Sequence, residues 1–109
     1  MSSSELEFEI IRLIEASPHL SQREIAKELT VSLGAVNYCM QALIDKGWMK
    51  IHHFSASRNK WKYVYVLTPK GIKERVKLTK SFLVRKLEEY QRLEQEIALL
   101  QRELDGKKG

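Results

Sequence analysis

The chain has 109 residues, with 19 Lys or Arg against 14 Asp or Glu and a formal net charge of +5. It is 43% hydrophobic and 30% charged, the balance of one small folded protein, and this excludes an intrinsically disordered chain. No apolar run approaches the ~20 residues that span a bilayer, the start MSSSELEFEI lacks the basic flank of a secretory signal, and the lone Cys39 cannot form an internal disulfide, so a reducing cytoplasm is the expected compartment.

The first predicted element is a helix over about Glu5 to Glu15. Leu6, Ile10, Leu13 and Ile14 are spaced by three and four and share one face. Ile11 widens that face, while Phe8 lies off it and is free to pack against another element. Ser17 precedes Pro18, which drives it out of the helical region and ends the helix. Ser21-Gln22-Arg23-Glu24 then has the pattern of a capping box. A short second helix follows, with Ile25, Ala26 and Leu29 on its buried face. Thr30-Val31-Ser32 interrupts it, and Ser32 caps a third helix from Leu33 to about Lys46. Val36, Met40, Leu43 and Ile44 form the inward stripe of that helix, and Gly47 is its left-handed stop.

The period then changes. Residues 48–52 and 61–67 read as two strands, the second rich in aromatic and β-branched residues. Between them Phe54-Ser55-Ala56-Ser57-Arg58-Asn59-Lys60 reads as a polar loop with a basic tip. Trp48 and Trp61 flank this hairpin and are expected to lock it against the helices. Trp61, Tyr63 and Tyr65 share one parity, while Lys62, Val64 and Val66 share the other; parity alone leaves open which face is buried. Thr68-Pro69 opens a last helix, threonine as cap and proline in the first turn. After Gly71 no proline or glycine appears until Gly106. The helix is therefore predicted to run from Pro69 to about Leu104, continuous or with a slight bend. Its apolar positions mostly recur at three and four, with two threes in succession from Leu87 through Tyr90 to Leu93.

This order predicts a mainly α fold with one small β-hairpin. Residues 5–68 form a winged helix-turn-helix unit, and residues 69–105 form a long C-terminal helix suited to dimerisation. In such a unit the second helix of the pair enters the DNA major groove. The charge layout agrees: residues 46–80 hold ten Lys or Arg against the single acid Glu74, which points to an anionic partner.

The stretches LSQREIAKEL, SLGAVNYCMQALIDKGW and TPKGI carry a family resemblance covering about Leu6 to Ile97. The sequence resembles the MarR-like winged-helix transcriptional regulators. Within them SLGAVNYC together with TPKG is most similar to the small group of exopolysaccharide-associated bacterial regulators. The resemblance implies binding to operator DNA as a homodimer and control of transcription. MarR-like proteins are typically longer, with N- and C-terminal helices that interlock. Here the first helix is short and the last is long, so a dimer made mainly by the C-terminal helix is expected.

The residues fit those roles. With Val36, Met40 and Leu43 turned inward, helix 3 presents Ser32, Leu33, Gly34, Asn37, Tyr38 and Gln41 outward as major-groove candidates. Asn37 and Gln41 are four apart on one face, and either amide carries the donor and acceptor for two hydrogen bonds to an adenine edge. No Lys or Arg occurs in helix 3 before Lys46. Attraction to the backbone is therefore assigned to Arg58, Asn59, Lys60 and Lys62 of the wing and to Arg23. Such contacts position a protein without specifying sequence. Lys73, Arg75, Lys77 and Lys80 read as the solvated face of the long helix. Leu83, Leu87, Tyr90, Leu93, Ile97, Leu100 and Leu104 form a seam too long for a small domain to cover, hence a dimer interface.

The expected partners are a second copy and double-stranded DNA with a near-palindromic operator, its half-sites about 34 Å or a multiple apart. Bound to DNA, the protein would be nucleoid-associated. No membrane partner, cofactor, metal or effector is indicated. His19, His52, His53 and Cys39 show no metal-ligand spacing, the isolated glycines make no phosphate loop, and no catalytic set is visible. A second reading is a protein-binding winged-helix adaptor that uses the C-terminal helix for hetero-association.

Overall fold

In the computed structural model the backbone is described for residues 2–57 and 60–106, and side chains for the same residues outside 53–63. The element order is α1 (Ser3–Ala16), α2 (Gln22–Leu29), α3 (Leu33–Asp45), β1 (Met49–Ser57), β2 (Lys60–Leu67) and α4 (Pro69–Gly106). The chain divides into two compact units, Met1–Val76 and Lys77–Gly109. This is a mainly helical fold in which a small antiparallel hairpin precedes a long C-terminal helix.

Each helix start is capped by a side-chain oxygen. Ser2 accepts from the Glu5 amide at 3.2 Å and Ser32 from the Ala35 amide at 3.0 Å. At α2 the capping box is complete: Ser21 Oγ accepts from the Glu24 amide, and Glu24 Oε1 accepts from the Ser21 amide, both at 3.1 Å. The Ser21 backbone amide first, and its hydroxyl second, favour the charged Glu24 carboxylate and hold its pKa below the ordinary value.

The two helices of the pair end alike. After α3 the Trp48 amide donates to Leu43 O and the Gly47 amide to Ile44 O, with Gly47 at φ 76°. After α2 the Val31 amide donates to Ala26 O and the Thr30 amide to Lys27 O. Here the left-handed position is filled by Thr30, at φ 57°. Both are Schellman-type stops, which satisfy carbonyls that the helix leaves open. The turn between α2 and α3 therefore holds its geometry against the preference of a β-branched residue.

The core of the first unit is formed by α1, α2, α3 and the base of the hairpin. Ile10, Ile11, Ile25, Val36, Met40, Leu43 and Met49 are fully buried. Each such side chain contributes about 1.5–3 kcal/mol of hydrophobic stabilisation. Leu6, Ile14, Ala26 and Cys39 complete the cluster. Leu29, Ile44 and Trp48 pack on it only partly buried. On α1 the periodicity is only partly followed, since Phe8 is buried and Leu13 is the half-buried one. The Arg12 guanidinium stands 5.7 Å from the Phe8 ring centroid and covers its outer side.

β1 and β2 pair antiparallel from Met49↔Leu67 to Ser57↔Lys60, with an irregularity between Ser55 and Ser57. The strands are longer than the sequence suggests. Phe54 and Ser55, expected in a loop, lie opposite Lys62 and Trp61 in the ladder. Backbone pairing continues through this Ser-rich stretch because ladder hydrogen bonds need no particular side chain. Near the helices the face of Tyr65 and Leu67 packs on the core.

One junction ties the elements of this unit together. Thr68 accepts from the Gly71 amide through Oγ1 at 3.1 Å and donates its hydroxyl to Gly47 O at 2.5 Å. The Thr68 amide donates to Trp48 O at 3.0 Å. Gly71 is buried against that same carbonyl, and a β-carbon there would lie 1.9 Å from Trp48 O.

Candidate nucleic-acid interface

The outward face of α3 is built by exclusion. Val36, Cys39, Met40 and Leu43 are buried, so the remaining surface carries Ser32, Leu33, Gly34, Asn37, Tyr38 and Gln41, all exposed. Tyr38 is 74% exposed and Leu33 39%. The face is polar and uncharged.

Two of its amides are held. Asn37 Nδ2 donates to Gln22 Oε1 at 3.1 Å, and Gln22 Nε2 donates to Tyr65 Oη at 3.2 Å. A chain of hydrogen bonds thus runs from β2 through the first residue of α2 to α3. Gln41 Nε2 donates to Asp45 Oδ1 at 3.0 Å, one turn further along. Each amide retains its carbonyl oxygen and a second N–H, the pair that an adenine edge requires. Gln22 was not singled out by sequence. Its only local signal is an amide at the first position of a capped helix beside a candidate recognition helix.

The basic block is partly neutralised from within. Lys46 Nζ lies 3.0 Å from the Glu7 carboxylate and 4.7 Å from the Trp48 ring centroid. Arg75 Nε lies 2.7 Å from Glu15 Oε1. The acidic residues of α1 therefore hold two cations of the block in structural contacts. Arg23, Lys27 and Lys50 are exposed. Of the wing residues, Arg58 and Asn59 lie outside the described residues, as do the side chains of Lys60, Lys62, Trp61 and Tyr63.

Cys39 is buried among core side chains. Burial, reinforced by the Glu7 charge and opposed by Lys46, pushes its thiol above the ordinary value. A thiol of this kind stays protonated and unreactive at neutral pH. Among the described residues no group of three or more His, Cys, Asp or Glu is placed to hold a metal ion. None of the described helices is long and apolar enough to cross a membrane.

In the second unit the seam residues Leu83, Leu87, Tyr90, Leu93, Ile97, Leu100 and Leu104 are exposed, from 47% at Ile97 to 67% at Leu104. Lys86 and Glu89 form an ion pair of 3.2 Å beside them.

Residues 3–49 match a family described as winged helix-turn-helix DNA-binding. No curated protein matches the sequence. Among solved structures, smu.1704 from Streptococcus mutans UA159 is similar at 19% identity, over 79% of this chain and 83% of that one, with a TM-score of 0.67. FabT from Streptococcus pneumoniae, solved in complex with DNA, is similar at 27% identity over 92% of this chain and 69% of that one, with a TM-score of 0.57. A MarR transcriptional regulator from Methanosarcina mazei Go1 is similar at 21% identity and a TM-score of 0.53. That match covers 69% of this chain and 52% of the other, so this chain spans about half that regulator's length. The fold is that of winged helix-turn-helix transcriptional regulators. None of these comparisons points to an exopolysaccharide-associated subgroup.

Proposed function

We propose that this chain is a sequence-specific double-stranded-DNA-binding transcriptional regulator acting as a homodimer. Residues 33–46 form the helix for the major groove, and the basic segment 54–62 lies on the backbone or minor groove. The observation that carries this reading is the exposed face of α3, backed by a fully buried stripe and braced by the Gln22 chain. The likeness to FabT over nearly the whole chain supports it. Asn37 and Gln41 read bases, Ser32, Leu33, Gly34 and Tyr38 contact the major groove beside them, and Arg23 contacts the backbone. Arg58, Asn59, Lys60 and Lys62 hold the backbone. Residues 5–68 and 69–105 divide the labour between DNA and dimer. MarR-like regulation rests on the stretches LSQREIAKEL, SLGAVNYCMQALIDKGW and TPKGI, and the narrower exopolysaccharide-associated group on SLGAVNYC together with TPKG.

Duplex selection followed by fluorescence anisotropy at several salt concentrations tests the reading. Asn37→Ala should weaken the selected duplex more than a random one, at about 1–3 kcal/mol for a lost base contact. Replacing Arg58 and Lys60 by Ala should weaken both duplexes alike and flatten the salt dependence. No uptake of duplex at low salt would refute the reading and turn attention to a protein partner.

A further inference from the structure

The long helix is polarised in charge. Residues 70–86 carry seven Lys or Arg against Glu74, whereas residues 87–105 carry six Asp or Glu against Arg92 and Arg102. Its apolar side chains also repeat strictly. Val76, Leu83, Tyr90, Ile97 and Leu104 recur every seven residues, and Leu93 and Leu100 follow Tyr90 and Ile97 by three. These are successive a and d positions of a heptad, all on one α-helix and all exposed. A stripe of this kind marks an interface.

We propose that it is covered by α4 of a second copy running antiparallel. This rests on the homodimeric reading above and adds direction and register.

Direction follows from what each arrangement sets side by side. In a parallel pair every seam residue meets its own copy, so Lys86, at a d position, meets Lys86 on the axis. The flanking contacts of a parallel pair run from a g residue to the e residue five further on. Glu89 then faces Glu94, twice by symmetry. Between residues 77 and 106 this arrangement forms no pair of opposite charge.

In an antiparallel pair an a residue meets a d residue. With Leu83 against Leu93 of the second copy, Thr79 meets Ile97, and Lys86 meets Tyr90, whose ring accepts an ammonium or its aliphatic stem. The flanking e residues then pair Lys80 with Glu94, twice, and Leu87 with its own copy. Lys80 and Glu94 are both exposed. A single like-charge contact remains, Glu89 with Glu89. Sliding the pair by one heptad toward the C-terminus instead sets Glu89 against Glu96 twice and leaves Lys80 opposite Gln101. The two Lys80–Glu94 pairs thus favour this antiparallel register over the neighbouring one.

Two measurements on the full chain test this. Glu94→Lys turns two attractions into two repulsions, so sedimentation equilibrium at low salt should show a dimer dissociation constant raised about tenfold. Adding Lys80→Glu should restore it. In a parallel pair Glu94→Lys would instead face Glu89 and tighten the dimer. For the second measurement, Leu83→Cys and Leu93→Cys are oxidised mildly, separately and mixed. Cross-linking only in the mixture is the expected result. Self-cross-linking of either variant, or a tighter Glu94→Lys dimer, overturns the antiparallel pair and leaves the DNA reading untouched. A chain that is monomeric at micromolar concentration overturns the inference together with the homodimer, even if it binds duplex. A dimer that meets both expectations but ignores duplex upholds the inference and removes the DNA reading.

Discussion

Replacing Gly71 by Ala sets two effects of opposite sign against each other. Helix propensity alone predicts a gain of about 1 kcal/mol, since Gly71 lies in the first turn of α4 and Ala is the better helix former. Packing predicts the reverse. The new methyl would lie 1.9 Å from Trp48 O and 2.8 Å from Trp48 C, both backbone atoms. Restoring a separation of 3.0 Å requires a retreat of about 1.1 Å, and the Trp48 backbone cannot yield as a side chain would. Overpacking of this kind costs about 1–3 kcal/mol. The displaced carbonyl also accepts from the Thr68 amide, and losing that bond adds about 1 kcal/mol. The net expectation is a loss of about 2 kcal/mol, or roughly 10 °C in Tm for a chain of this size. Urea unfolding followed by circular dichroism measures it. Gly34→Ala is the matched control, because its nearest neighbour outside the helix backbone is Ser32 Oγ at 4.0 Å. That variant should be neutral or more stable by up to about 1 kcal/mol. A Gly71→Ala protein as stable as the parent would refute the close approach.

Other outcomes follow from the same geometry. Thr30→Gly removes a left-handed threonine and should raise stability by about 0.5–1 kcal/mol in the same urea assay. The Glu24 carboxyl should titrate below an ordinary glutamate by NMR. Because its folded pKa is depressed, its contribution to stability is present above the unfolded pKa and fades as pH falls through the folded one; Ser21→Ala removes the hydroxyl but keeps the backbone amide, the larger cause, so it should shrink both effects without abolishing them. Cys39 should resist a thiol reagent at pH 8 in the native protein and react at once in urea. Rapid native labelling would contradict its burial. Its raised pKa also means that stability is held below the unfolded thiol pKa and lost as pH rises through the folded one.

The punctuation of this fold is written locally. Ser21, Ser32, Gly47 and Thr68-Pro69 each act within three or four residues of themselves, and each capping or stop signal is met in the structure. The heptad from Val76 to Leu104 is equally legible, although reading intervals of three and four conceals it. Phe8, read as lying off the main stripe of α1 and free to pack elsewhere, is buried. Two features were not legible, each for a different reason. The strands run through residues 54–57 because ladder hydrogen bonds are indifferent to the serines there. The Tyr65–Gln22–Asn37 chain joins residues 43 and 15 positions apart, and no local pattern encodes a contact between surfaces that meet only after folding. The charge block misleads in one respect. Lys46 and Arg75 count toward it, but Glu7 and Glu15 engage them.

The junction at Thr68 also bears on the order of events during folding. Its bonds to Gly47 and Trp48 join the end of α3 to the first turn of α4 across 20 intervening residues. The cap that nucleates α4 is thus completed by the same contacts that close the base of the hairpin. Helix nucleation is the unfavourable step in helix formation, and closing a loop of this length is the entropic obstacle to the hairpin. Here one small cluster of atoms serves both. The amides of Trp48, Thr68 and Gly71 should therefore exchange with solvent deuterium together, as one cooperative opening rather than as a fraying strand and a separately fraying helix.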